Sequence, residues 1–269
     1  MTRRARHVDT CEVMGTVASV HVIGADRATA AAAARDCFAV LRRADRVFST
    51  YDDGSDVRRI ARTELDPADA DPWVADVRAA CLTMADETGG LFDAWRHGWF
   101  DPTGLVKGWA AERAARQILG PLVQPGGAVA AALDVGGDMQ VFSADDGEHT
   151  WNVGIVDPSD RSRVIATVPI RNGAIATSGS AERGAHIIDP RTGSPATGIV
   201  SATVLADGLS RADVWATAAV AAGIDGFAGV LTARETSGMT VDRAGHVRRW
   251  ITGTEAGIEV CVETAGSGY

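Results

Sequence analysis

Lysine is almost missing from this chain. Among 269 residues, 26 are basic, and all of them except Lys107 are arginine. A bias toward arginine and alanine explains most of that scarcity. It also singles out the one retained ammonium, because a compact ammonium and a planar guanidinium do different work. Cysteine is sparse: Cys11, Cys37, Cys81 and Cys261 are far apart and form no CxxC. That excludes a disulfide framework and a cysteine-built zinc site. No apolar run approaches the roughly 20 residues that a membrane-spanning helix needs. The net charge of −9 argues against a nucleic-acid partner, which requires a basic face. GxGxxG and GxxxxGK[ST] are both absent, so a Rossmann or P-loop nucleotide site is not supported. Arg3, Arg4 and Arg6 are followed by a charged, broken stretch without an apolar h-region, which predicts a cytoplasmic location.

What is present has an order. Val13 to Ile23 reads as a strand interrupted near Gly15. Ala28 to Val47 reads as a long helix, with Phe38, Leu41, Ala44 and Val47 at helical spacing. Ser55 is placed to cap a short helix through Ile60. Asp71-Pro72 opens a helix that Gly89-Gly90 ends, and Leu105 to Leu119 forms another. From Ala128 onward strands dominate. Ala130–Val135 and Met139–Ser143 flank a glycine turn, and Trp151–Val156 follows. Val164–Ile170 and Ala174–Thr177 flank Asn172-Gly173, the strongest hairpin signal in the chain. Gly198–Ala206 is a further strand. Ser210 is placed to cap a helix over 211–222, Phe227–Thr236 reads as a helix, and Met239–Val241 pairs with Val247–Ile251. Ile258–Val262 is a last apolar run. Regular βαβ alternation is missing, so the fold class is α+β.

Several stretches carry candidate chemistry. Thr177 to Gly193 groups hydroxyls, glycines, Glu182, Arg183, His186 and an Asp-Pro-Arg-Thr-Gly turn between two apolar runs. Such groups are costly to bury without partners, yet ordinary turn chemistry also accounts for them. Asp213 and Thr217 share a helix face and offer oxygens that suit a hard cation such as magnesium. An Asp in a first helical turn is also favoured by the helix dipole alone. Lys107 falls near a helix N-terminus, where a cation is unfavourable and an anion is favoured, which hints at an anionic partner. The Gly136-Gly137 turn permits close backbone approach. Phe48, Tyr51, Phe92 and Trp95 flank turns where an aromatic ligand would stack, although core packing serves each equally well.

In order, Met14–Thr16 (MGT), Phe48–Tyr51 (FSTY), Thr88–Asp93 (TGGLFD), Asp101–Gly108 (DPTGLVKG), Val135–Asp138 (VGGD), Ala176–Pro195 (ATSG…HIIDPRTGSP) and Ala212–Thr217 (ADVWAT) resemble the ApbE family, the FAD:protein FMN transferases. The departures are modest: FDA stands where FDP is common, and Ser180-Ala181 replaces a frequent Asp-Tyr-like pair. The resemblance implies an α+β fold with antiparallel sheets flanked by helices and a ligand cleft between two lobes. It implies a tail over 1–12, a single domain over 13–252 and a C-terminal extension over 253–269. It further implies magnesium-dependent transfer of the FMN half of FAD to a Thr or Ser hydroxyl of an acceptor flavoprotein, with release of AMP. Carried over residue by residue, His186 is the general base. FAD is touched by Met14, Tyr51, Leu91, Phe92, Asp93, Asp101, Lys107, Ile187 and Ile188. Mg2+ is held by the Gly104 carbonyl, Asp213 and Thr217. Two other readings remain open at this point: an FAD pyrophosphatase that yields FMN and AMP, and a flavin-binding protein without catalysis.

Overall fold

A computed structural model of the chain describes residues 4–145, 147–179, 187–230, 233 and 235–251. His186, Glu182, Arg183, the Ile258–Val262 run and the 253–269 extension lie outside the described residues.

Strands β1 (Arg6–Val13) and β2 (Thr16–Ile23) form an antiparallel hairpin. Its turn residues, Met14 and Gly15, both have positive φ (55° and 69°), the geometry that matches the right-handed twist of flanking strands. Residues 6–12, expected as tail, are therefore an edge strand. Its residues alternate in exposure, and five of its eight residues are polar or charged, which hides the strand from a hydrophobicity reading.

Helix α1 (Arg27–Phe48) starts at Asp26, whose carboxylate accepts the Thr29 N–H at 2.9 Å. It buries Ala30, Ala34, Cys37, Leu41, Ala44 and Phe48 along one stripe. Ser55 caps α2 (Asp56–Ala61) as expected. Asp71 accepts the Trp73 N–H at 2.9 Å ahead of α3 (Trp73–Glu87). Helix α4 (Thr103–Ala114) begins two residues earlier than the sequence suggests and gives way to a π-turn over Ala115–Leu119.

The strands that follow are β3 (Ala130–Val135), β4 (Asp138–Ser143), β5 (Trp151–Val156), β6 (Val164–Ile170), β7 (Gly173–Gly179), β8 (Ile188–Asp189), β9 (Ser194–Pro195) and β10 (Ile199–Ala206). After them come α5 (Leu209–Ala222), the short α6 (Phe227–Val230), β11 (Thr236–Asp242) and β12 (Val247–Ile251). An eight-stranded sheet runs β1-β2-β3-β4-β7-β10-β11-β12, every neighbouring pair antiparallel. This is the expected α+β class, with antiparallel sheets flanked by helices.

Strand periodicity decides the layers. In β3, Leu133 and Val135 face the core shared with α1, α3, α4 and α5, while Ala130 and Ala132 face the β5–β6 ribbon on the other side. Burying a side chain such as Leu41 or Leu105 on the helical side contributes about 1.5–3 kcal/mol.

Three expectations change. Asn172-Gly173 does not close a hairpin: β6 pairs with β5, whereas β7 pairs with β4 and β10. The dipeptide carries the chain from one layer to the other. The Asn172 side-chain oxygen accepts the Ser143 N–H at 2.9 Å. Ser210 lies one residue inside α5 rather than at its cap, and its N–H and hydroxyl both donate to Glu112. The helix expected over 227–236 is short, because Thr236 already belongs to β11.

Candidate functional site

Two hairpin turns meet at one end of the sheet. The β3–β4 turn uses Gly136 and Gly137, both at positive φ. A Cβ on Gly136 would come within 2.8 Å of the Thr16 hydroxyl oxygen, so a side chain there would push the β1–β2 hairpin away. Thr16 and Gly136 form one wall of a cleft. The start of α4, the 91–96 loop, β7, Ile187–Ile188 and one face of α5 form the others.

The centre of the cleft is Lys107. Its ammonium donates to the Asp138 carboxylate and lies 3.1 Å from Asp213 Oδ2. Glycine makes the arrangement possible. A Cβ on Gly108 would sit 2.9 Å from the Leu209 carbonyl oxygen and 3.0 Å from the Asp213 Cβ, so only glycine lets α4 and α5 approach this closely. Asp138 is buried and also accepts the Thr177 N–H at 2.8 Å. Thr177 and Thr203 hydroxyls pair at 2.9 Å, and Ser178 and Thr217 hydroxyls at 3.0 Å.

The electrostatics follow from burial opposed by pairing. Burial pushes the Asp138 carboxyl up to about 6, although the Lys107 ammonium pulls it down. Burial lowers Lys107, but Asp213 and Asp138 outweigh it and hold the ammonium above the ordinary lysine value. The carboxyl of Asp134 is raised by burial, partly offset by the Gly137 N–H and by Lys107.

Loops are braced around this centre. The Thr88 hydroxyl donates to the Met84 carbonyl at 2.7 Å and accepts the Phe92 N–H at 3.1 Å, which fixes the Thr-Gly-Gly turn. The Asp101 carboxylate accepts from the Thr103 N–H and hydroxyl at 3.1 and 2.7 Å and orders the entry to α4. On the opposite side Arg191 forms two hydrogen bonds with Asp189, at 2.9 and 2.8 Å, and donates to the Ala222 carbonyl at 2.6 Å. That contact ties the β8–β9 turn, and with it Ile187–Ile188, to the carbonyl end of α5, where a cation is favoured.

Of the residues expected at the site, Leu91, Phe92, Asp93, Asp101, Gly104, Lys107, Ile187, Ile188, Asp213 and Thr217 all line this one cleft. Met14 and Tyr51 are not among its lining residues. Met14 sits in the β1–β2 turn with its N–H on Asp45 at 3.3 Å, and Tyr51 is 97% exposed. His186 precedes the cleft-lining Ile187 in the sequence and lies outside the described residues. The sequence reading missed Asp138 as a site residue, although its motif was noted. The signal was a carboxylate at a tight glycine turn, which ordinary hairpin chemistry equally explains. Thr103 and Ser178, which fall within the expected motifs without being named as site residues, also line the cleft, as does Arg96, which gave no sequence signal of its own.

Among the described residues, no group of three or more His, Cys, Asp or Glu side chains is arranged to hold a metal. Besides the carboxylates of Asp93, Asp101 and Asp138, the cleft is lined by hard-oxygen donors in the Asp213 carboxylate, the Thr217 hydroxyl and the backbone of Gly104. Carboxylate, hydroxyl and carbonyl oxygens suit magnesium, which keeps waters and takes remaining ligands from substrate phosphates.

Fold and cleft together define an α+β protein with a polar, carboxylate- and hydroxyl-lined pocket gathered by one lysine. The family model of the ApbE family matches residues 14–97 and 96–240. The chain belongs to the ApbE family. It is 27% identical over 273 aligned residues to the FAD:protein FMN transferase of Klebsiella pneumoniae (strain 342), covering 77% of this chain and 75% of that protein. It is 42% identical over 102 residues to the Rhodobacter capsulatus protein of the same name, a match covering 35% of this chain but only 19% of that protein's length. The crystal structure of the ApbE protein from Thermotoga maritima superposes with a TM-score of 0.74 at 23% identity, covering 91% of this chain and 97% of that one. At that identity the likeness speaks for the fold.

Proposed function

We propose that this protein transfers the FMN moiety of FAD to a Thr or Ser hydroxyl of a target flavoprotein, with magnesium, and releases AMP. The observation that carries the reading is the convergence of ten motif residues, from Leu91 to Thr217, on one cleft. The similarity to the FAD:protein FMN transferase of Klebsiella pneumoniae supports the same activity.

In this reading the acceptor hydroxyl oxygen attacks the FMN-side phosphorus of FAD. The bond from that phosphorus to the bridging oxygen breaks, and AMP leaves with the bridging oxygen. His186 takes the hydroxyl proton, a role suited to a side chain that titrates near neutrality. Such reactions ask a protein for positioning and charge neutralisation more than for covalent chemistry. Asp213, Thr217 and Gly104 are the residues that would hold magnesium, which when bound neutralises phosphate charge. Lys107 orients the Asp213 carboxylate by its contact at 3.1 Å, and Asp138 holds Lys107 in place. Phe92, Ile187 and Ile188 supply apolar surface for the flavin side.

The test is to incubate the protein with FAD and magnesium, with and without a Thr-containing flavoprotein, and to follow FMN–protein and AMP by mass. FMN–protein with AMP supports the transferase. AMP without an acceptor supports the pyrophosphatase instead, and neither product leaves a flavin binder.

A further inference from the structure

The site as described leaves the FAD diphosphate short of positive charge from the protein. Lys107, the cation nearest the centre, is already engaged by Asp138 and Asp213. Asp93 and Asp101 add two further carboxylates to the lining. A diphosphate diester brings one negative charge on each phosphate, so an acidic cleft alone would repel it.

Arg96 lines the same cleft. It is solvent-exposed, and no carboxylate among the described residues forms an ion pair with it. Its Nε donates to the His97 Nε2 at 3.1 Å, which leaves the two terminal nitrogens without a partner among the described residues. The loop that carries it is braced at several points. The Trp95 N–H donates to Asp93, the Gly98 N–H to the Trp95 carbonyl and the Asp101 N–H to the Ala94 carbonyl, each at 2.8 Å. The Trp95 ring packs against Phe100 with centroids 5.2 Å apart, and the Arg78 guanidinium covers both rings. An exposed arginine is ordinarily just a solvated surface charge. Here, among the described residues, it is a lining cation with no carboxylate partner in a cleft that carries several carboxylates, and it is held on a loop braced by backbone hydrogen bonds.

We propose that Arg96 binds the diphosphate of FAD and so favours the dinucleotide over flavins that lack a diphosphate. The inference rests on the flavin-transferase reading and deepens it. A guanidinium presents paired N–H donors that match the oxygens of a phosphate, and such charge-assisted bonds are stronger than neutral ones. Because the side chain is exposed, water and salt screen it, so the effect on binding is moderate.

The test measures affinities of wild type, Arg96→Ala and Arg96→Lys for FAD, ADP and riboflavin at low and moderate salt. Arg96→Ala is expected to weaken FAD and ADP by about ten-fold, the scale of one charge-assisted hydrogen bond. Riboflavin, which has no phosphate, should stay within about two-fold of wild type. Arg96→Lys should recover part of the loss, because it keeps the charge but not the paired donors. The salt dependence of FAD binding should flatten in Arg96→Ala. Unchanged FAD and ADP affinities in Arg96→Ala overturn the proposal, and so does a riboflavin loss as large as the FAD loss, which would mean altered pocket shape. A wild type that binds FAD but forms neither FMN–protein nor AMP would instead overturn the transferase reading, and the three affinities would still decide the role of Arg96.

Discussion

Replacing Lys107 with methionine tests whether the buried ion cluster organises the cleft. The ammonium lies against Asp138 and Asp213, whose side chains are 6% and 9% exposed, while its own side chain is 22% exposed. Removing one member of such a group leaves carboxylates buried without compensation, which costs about 3–5 kcal/mol. Partial exposure of Lys107 places the expected loss near the lower end, about 3 kcal/mol. For a chain of this size that corresponds to a fall of roughly 6–10 °C in Tm. The loss has a pH signature. The Asp138 carboxyl already titrates at about 6 with Lys107 present, and losing the ammonium raises it further. A raised carboxyl holds a proton in the folded protein that the unfolded chain has released. The stability it contributes is therefore full below the unfolded value and lost as pH rises through the folded value. The Lys107→Met deficit should be largest near pH 7 and should shrink toward about pH 5, as Asp138 takes up its proton. The assay is urea unfolding of wild type, Lys107→Met, Asp138→Asn and the double variant at both pH values. The double variant should recover a large part of the loss, giving a coupling energy above about 1 kcal/mol. A Lys107→Met loss below about 1 kcal/mol, or one independent of pH and of Asp138, would show that the ion cluster does not organise the cleft.

Three further outcomes follow from the same geometry. Gly108→Ala places a methyl 2.9 Å from the Leu209 carbonyl oxygen; it should cost about 1–3 kcal/mol by forcing α4 and α5 apart and should weaken magnesium stimulation, measured by a metal titration of AMP release. His186→Ala should lower transfer by about 10²–10⁴-fold, the usual range for general-base help, with FAD affinity retained; unchanged transfer at saturating FAD would remove His186 from its role. Asp213→Ala should abolish the dependence of turnover on magnesium, and retained metal-stimulated turnover would strike Asp213 from the ligand set.

Much of the site was legible because its residues sit in separate, locally recognisable turns. Asp101 to Gly108 reads as a turn feeding a helix, and Asp213 with Thr217 reads as one helix face. What the sequence could not convey is their meeting. Lys107 looked like an ammonium awaiting an anionic ligand, whereas the fold supplies two of its own carboxylates from β4 and α5. Asp138 looked like a hairpin residue because its glycines are needed for the turn whether or not its carboxylate is used. Arg96 had no local mark among many arginines; its meaning comes from its place in the cleft lining without a carboxylate partner among the described residues. In the fold, Asn172-Gly173 has the residues of a hairpin, but β6 buries its apolar face in the second layer with β5, so long-range packing overrode local turn preference. Edge strand β1 was hidden because Arg6, Thr10 and Glu12 are exposed along it and Asp9 is only half-buried.

In the proposed function one cleft couples cleavage of FAD to attachment of FMN. The most direct measurement is the stoichiometry of AMP released to FMN covalently bound on an acceptor flavoprotein, taken for wild type and Asp213→Ala in magnesium. One AMP per attached FMN is expected in wild type, and little of either product in the variant. AMP in excess of attached FMN, or equal product from Asp213→Ala, would contradict that coupling.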